Sequence, residues 1–158
     1  MESLIVSDVM NPSVITVSEE APLREALDLM LKHRISSLVV VGHAGHMVGI
    51  ISETDLLRAW QEGSDYTAVM TSPVQQYMTA EVISCAPHKS LDYAMQTLAR
   101  HNLRRLVVVA PHHGGRFVTD RMMPIGILSQ TDIVRALSSS LQVTEEEPAV
   151  AADSAEAP

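Results

Sequence analysis

Apolar and polar positions follow one order of signals along this chain, and that order occurs twice. Each round opens with a short run of β-branched or small apolar residues, Val14 to Val17 and Val82 to Cys85, which predicts a strand. A helix follows. Leu23, Ala26, Leu27, Met30 and Leu31 fall at i, i+3, i+4, i+7 and i+8, one apolar stripe. Leu91, Ala94, Met95, Leu98 and Ala99 repeat that stripe. Pro22 suits a first helical turn, where its missing N–H costs nothing. Continuous apolar runs, Leu38 to Val41 and Leu106 to Val109, then predict buried strands. A turn at Gly42 to Gly45 leads into a further strand, Met47 to Ser52, matched later by Pro124 to Ser129. A second helix opens just after Ser52 and Ser129. The unit is β-α-β-β-α, and its apolar strands need helices to cover them, so the class is α/β.

The register of the repeat locates an insertion. Met10 aligns with Met78, Val14 with Val82, Leu23 with Leu91, Ile35 with Leu103 and Val39 with Val107, all at an offset of 68. Gly49 aligns with Gly126 at an offset of 77, so the second copy gains residues between Val109 and Gly126. Ala110-Pro111-His112-His113-Gly114-Gly115-Arg116 lies there, and its Gly and Pro read as a hairpin excursion. The expected division is a first copy over 1–63, a linker over 64–75, a second copy over 76–141 and a tail over 142–158.

Composition narrows the function classes. The net charge is −8, but five acids and no base follow Arg135, so the duplicated part carries only −3. The acidic Ala, Pro and Ser-containing tail lacks the apolar residues for a core and is expected to be disordered. An acidic total with few aromatics argues against nucleic-acid binding, which needs a basic face. No apolar run approaches the roughly 20 residues of a membrane span, and the first residues show no signal-peptide pattern. The single cysteine, Cys85, precludes an internal disulfide, and a cytoplasmic home is expected. His43, His46, His112 and His113 lack the spacing of a zinc site, and no metal is expected. No nucleophile elbow, P-loop or dinucleotide fingerprint occurs, so no enzyme is expected.

The most polar repeated signature is Gly49-Ile50-Ile51-Ser52-Glu53-Thr54-Asp55, echoed by Gly126-Ile127-Leu128-Ser129-Gln130-Thr131-Asp132. Ser52 with Asp55, and Ser129 with Asp132, make a Ser N-cap and an acid at N3. Capping explains these four residues but needs neither Thr54 nor Thr131. A hydroxyl beside a carboxylate at a helix N-terminus also suits vicinal hydroxyls and a phosphate. Asp55 with Arg58 and Asp132 with Arg135 stand at i, i+3 and predict surface ion pairs. Trp60 is expected to pack or to anchor an interface.

The doubled Ser-x-Thr-Asp unit resembles a tandem pair of CBS domains, the Bateman module. Asp8-Val9-Met10-Asn11-Pro12 with Gln76-Tyr77-Met78-Thr79-Ala80, and His33-Arg34-Ile35-Ser36-Ser37-Leu38-Val39-Val40-Val41, carry the same resemblance. Val39 and Val107 stand where many members have proline. The resemblance implies two small sheets packed by pseudo-twofold symmetry, with clefts that bind AMP, ADP, ATP or S-adenosylmethionine. It puts the ribose-binding acids at Asp55 and Asp132, with hydroxyls at Thr54 and Thr131. It also implies phosphate contacts from Arg104 and Arg105, where the first copy has Ser36 and Ser37, and a further polar contact from Thr79. Two functions follow from these residues. One is a non-catalytic adenine-nucleotide sensor that modulates a partner protein and requires no cofactor. The other is a structural or interaction module without nucleotide. A homodimer is expected for either.

Overall fold

The computed structural model describes residues 3–112 and 121–145, the last three by backbone alone. The elements in order are α1 (Val6–Val9), β1 (Thr16–Ser18), α2 (Leu23–His33), β2 (Ser37–Val41), β3 (Met47–Ser52), α3 (Glu53–Glu62) and α4 (Tyr66–Met70). A 3-10 turn (Val74–Gln76) leads to β4 (Ser84–Cys85), α5 (Leu91–Arg100), β5 (Arg105–His112), β6 (Arg121–Ser129) and α6 (Gln130–Glu145). They form two three-stranded sheets, ordered β1-β2-β3 and β4-β5-β6. In each sheet the first pair is parallel and the second antiparallel. The α/β class and the duplicated architecture are as the repeat predicted.

Duplication reaches fine detail. Each antiparallel pair carries a register shift, at Val40/Val41 and at Val108/Val109. The helices α2 and α5 are each followed by a left-handed residue, Arg34 at φ 53° and Asn102 at φ 51°. Such a residue stops a helix by turning the chain back toward the sheet. Buried Leu23, Ala26 and Met30 seat α2, and buried Leu91, Ala94 and Leu98 seat α5.

The cores show that the copies exchange segments. One cluster joins Leu38, Val40, Ile51 and Leu56 of the first copy with Val69, Met70 and Val74. Tyr77 and Met78 pack against the same cluster, although the repeat register gives them to the second copy. The other cluster joins Leu106, Val108 and Leu128 of the second copy with Val6, and Leu4, Val9 and Met10 pack on it. Segment 64–75, read from sequence as a linker, is therefore helical and partly core. Burying each of its larger side chains contributes about 1.5–3 kcal/mol. A third cluster, Val39, Val107 and Val109, lies where the two sheets meet.

Each exchanged segment ends by crossing the other strand pair's edge. Asn11 and Ile127 exchange backbone hydrogen bonds of 2.8 and 2.9 Å, and so do Thr79 and Ile50. Gly49 and Gly126 permit this crossing. A Cβ on Gly49 would lie 2.7 Å from Met78 Sδ and 2.8 Å from the Thr79 carbonyl oxygen. Met10 and the Asn11 carbonyl crowd Gly126 in the same way. The repeated Met and the repeated Gly are thus one feature, a side chain seated on a bare backbone.

The insertion lengthens the second hairpin. β5 and β6 remain paired out to His112 and Arg121, and Pro124 sits beside the bulge, where a missing N–H is tolerated. Residues 113–120 lie outside the described residues. The helix α6 runs to Glu145, into the segment expected to be an unstructured tail; residues 146–158 lie outside the described residues.

Candidate functional site

Both predicted caps form. The Ser52 N–H and Oγ donate to Asp55 Oδ2 at 2.8 and 2.9 Å, and the Asp55 N–H donates back to Ser52 Oγ at 3.3 Å. The Ser129 N–H and Oγ donate to Asp132 Oδ2 at 2.9 and 2.6 Å, and the Asp132 N–H donates to Ser129 Oγ at 3.1 Å. Each arrangement satisfies helix N–H groups that would otherwise lack partners, and fixes its carboxylate at a strand–helix junction. The residue after each serine is tied to the preceding loop. Glu53 N–H donates to the Ser36 carbonyl and Gln130 N–H to the Arg104 carbonyl, both at 2.9 Å.

The second carboxylate oxygen separates the two copies. Asp55 Oδ1 accepts from Arg58 Nη2 at 3.1 Å, and the same nitrogen donates to the Tyr77 carbonyl at 3.0 Å. Asp55 is buried, at 6% exposure. Asp132 is half-buried, and its Oδ1 has no partner among the described residues. The ion pair expected between Asp132 and Arg135 is absent among the described residues, whereas the Asp55–Arg58 pair is present. Arg135 instead lines a cleft of about 610 Å³ with Arg104, Arg105, Ser129, Gln130, Thr131 and Asp132.

Of the nine predicted site residues, Arg104, Arg105, Ser129, Thr131 and Asp132 line this cleft.

 Five of the nine predicted residues thus share one cleft. Ser52, Thr54 and Asp55 sit at the matching junction of the first copy. Thr79 pairs with Ile50 on β3 and is not among the residues lining the second cleft. The residue related to it by the repeat, Asn11, pairs with Ile127 on β6, three positions before Gln130. Sequence reasoning missed Arg135 as a cleft residue because its spacing from Asp132 suggested an ion pair. Gln130 was missed as well; its side-chain amide donates to the Leu103 carbonyl at 3.0 Å.

Charge follows the same division. Arg104, Arg105 and Arg135 make no ion pair among the described residues, and Asp132 is the one acid lining their cleft. That wall carries a net +2 from three guanidiniums and one carboxylate. The first junction has Ser36 and Ser37 in place of Arg104 and Arg105, and Glu53 in place of Gln130. Its Glu53, Asp55 and Arg58 sum to −1. Guanidiniums without protein partners pair readily with phosphate oxygens, so the second cleft suits a polyanion and the first does not.

Burial pushes the Cys85 thiol up, which keeps it protonated and a poor nucleophile. No group of three or more His, Cys, Asp or Glu able to hold a metal occurs among the described residues. No helix among them is long and apolar enough to cross a membrane. A separate groove of about 930 Å³ lies between Leu27, Leu57, Trp60 and Tyr66. Trp60 and Tyr66 meet there edge to face, with ring centroids 6.3 Å apart.

Comparison with known proteins agrees with the duplicated fold. The CBS-domain family matches residues 6–62 and 74–139. An uncharacterized protein of Methanocaldococcus jannaschii, MJ1225, is 30% identical over 134 residues, which are 85% of this chain and 43% of that protein. The human 5'-AMP-activated protein kinase subunit gamma-3 is 31% identical over 125 residues, 77% of this chain and 24% of the subunit. The chain thus spans less than half the length of either relative. The solved CBS-domain pair of protein MJ0100, in complex with 5'-methylthioadenosine and S-adenosyl-L-methionine, superposes with a TM-score of 0.67 at 23% identity. That match covers 87% of this chain and 98% of the other, and speaks for the fold alone.

Proposed function

Because this chain belongs to the CBS-domain family and carries two copies of the domain, we propose that it is a non-catalytic regulatory module that binds an adenine nucleotide. The observation that carries this is the Asp132 Oδ1, which has no partner among the described residues, beside three arginines that make no ion pair among them. A ribose diol donates to that oxygen, and the exposed Thr131 hydroxyl supports it. Arg104, Arg105 and Arg135 take the phosphates, aided by the N-terminus of α6. AMP, ADP and ATP fit this set, with the arginines favouring the longer phosphate chain. S-adenosylmethionine, which has no phosphate, leaves them unused. The gamma-3 relative is, by its name, a subunit of a 5'-AMP-activated kinase, which agrees with this ligand class.

A thermal-shift panel with AMP, ADP, ATP, S-adenosylmethionine, NAD and GTP tests the reading. An adenine nucleotide at about 100 times its Kd should stabilise the fold by about 2.7 kcal/mol, and GTP should not. No shift with any of them at millimolar concentration contradicts it and leaves an interaction module without nucleotide.

Regulation needs a surface that reports occupancy, and we assign it to the outer helices. Leu57 on α3 and Val134 on α6 occupy matching repeat positions and are 57% and 65% exposed. Matched apolar positions on both copies suit self-association about a two-fold axis, so the chain is read as a homodimer. Bound nucleotide then shifts the dimer, or its docking on a regulated protein, by its differential affinity for two arrangements. Light scattering of wild type and Leu57→Glu tests this. A dimer that the substitution dissociates supports it, and a wild-type monomer contradicts it.

A further inference from the structure

We propose that Arg58 is a latch that closes the first cleft, so that each chain offers one working adenosine site, in the second copy. This rests on the nucleotide reading above. The two caps are alike in sequence and geometry down to the Ser–Asp hydrogen bonds. They differ in what meets the outer carboxylate oxygen. Arg58 Nη2 donates to Asp55 Oδ1 at 3.1 Å, in the place where a ribose diol would donate. The same nitrogen holds the Tyr77 carbonyl at 3.0 Å. A ligand entering there has to displace a charge-assisted bond to a buried carboxylate before it makes its own.

The latch also reaches the crossing segment. Tyr77 precedes Met78, which sits over Gly49, and Thr79, which pairs with Ile50 in both directions. Arg58 thereby ties the start of α3 to the strip of chain that crosses β3. The matching arginine, Arg135, makes no such tie among the described residues and faces its cleft. Charge reinforces the difference. Removing Arg58 would take from Asp55 its ion-pair partner and leave Glu53 two positions before it, so an unlatched first cleft accepts adenosine but repels phosphates.

Calorimetric titration of the full chain with adenosine, compared with ATP, tests the latch. Wild type is expected to bind one equivalent of either. Arg58→Ala, and Arg58→Met with its retained stem, should each bind two equivalents of adenosine and still one of ATP. Two equivalents of adenosine on wild type, or one on both variants, overturns the latch alone. No binding by wild type sinks the nucleotide reading instead. Amide hydrogen exchange judges the latch without any ligand. Arg58→Ala should speed exchange at Thr79 by about fivefold, a shift matching loss of one modest hydrogen bond, and leave Asn11 unchanged. Unaltered exchange at Thr79 would overturn the latch whatever binds.

Discussion

The first and second caps share Ser-x-Thr-Asp, the same inner hydrogen bonds and the same place in the fold, yet present different chemistry. At Asp55 a neighbouring arginine consumes the outer oxygen, and serines replace the cleft arginines. At Asp132 the outer oxygen has no partner among the described residues, and the three guanidiniums that share its cleft make no ion pair among them. A repeated motif therefore specifies a scaffold, a fixed carboxylate on a capped helix. Whether the scaffold becomes a site depends on the residues that differ between copies.

The shared part of that comparison is the easiest to break. Gly49→Val and Gly126→Val each push a branched side chain into a seated methionine and a crossing backbone. Each should cost about 3 kcal/mol, read from urea denaturation, and the two losses should be similar. Unequal losses would show that the crossings are not equivalent. Next in size is the stability cost of the caps. Asp55→Ala leaves the Arg58 guanidinium without its carboxylate as well as removing a cap acceptor, and should cost about 2 kcal/mol. Asp132→Ala loses the cap alone, about 1 kcal/mol. A larger cost at Asp132 would reverse the assignment of which copy is structural.

Ligand affinity sharpens the difference further. Arg104→Ala should weaken ATP by about tenfold, the worth of one charge-assisted hydrogen bond, and leave adenosine unchanged. Equal losses for both ligands would remove the phosphate role. The smallest effect belongs to the charge difference at the residue after each serine. Gln130→Glu should weaken ATP about threefold by Coulomb repulsion, while Glu53→Gln should change nothing measurable for ATP. Titrations at low and high salt check this, because screening should shrink the first effect.

Much of the fold could be read from the sequence because it is written in periodic apolar positions. The stripes of α2 and α5 and the buried runs of β2 and β5 lie where their spacing put them. Both caps were legible because Ser and Asp three residues apart are a local motif. The exchange of segments was not. Val74 and Val6 look alike in sequence, and only tertiary packing decides that each serves the other copy's neighbouring core. Arg58 and Arg135 also look alike, at the same spacing from their aspartates. Their different fates depend on a carbonyl 19 residues away in one case, which no local pattern encodes. The second copy's arginines were legible as candidates by their contrast with Ser36 and Ser37.

The most direct test is ATP titration of Asp132→Asn beside Asp55→Asn, both shown folded by circular dichroism. Asparagine keeps a helix-start residue at each position while removing the charge. Asp132→Asn is expected to weaken ATP binding by tenfold or more, about 1.4 kcal/mol, while Asp55→Asn retains wild-type affinity. Loss of binding in Asp55→Asn with wild-type affinity in Asp132→Asn would contradict it.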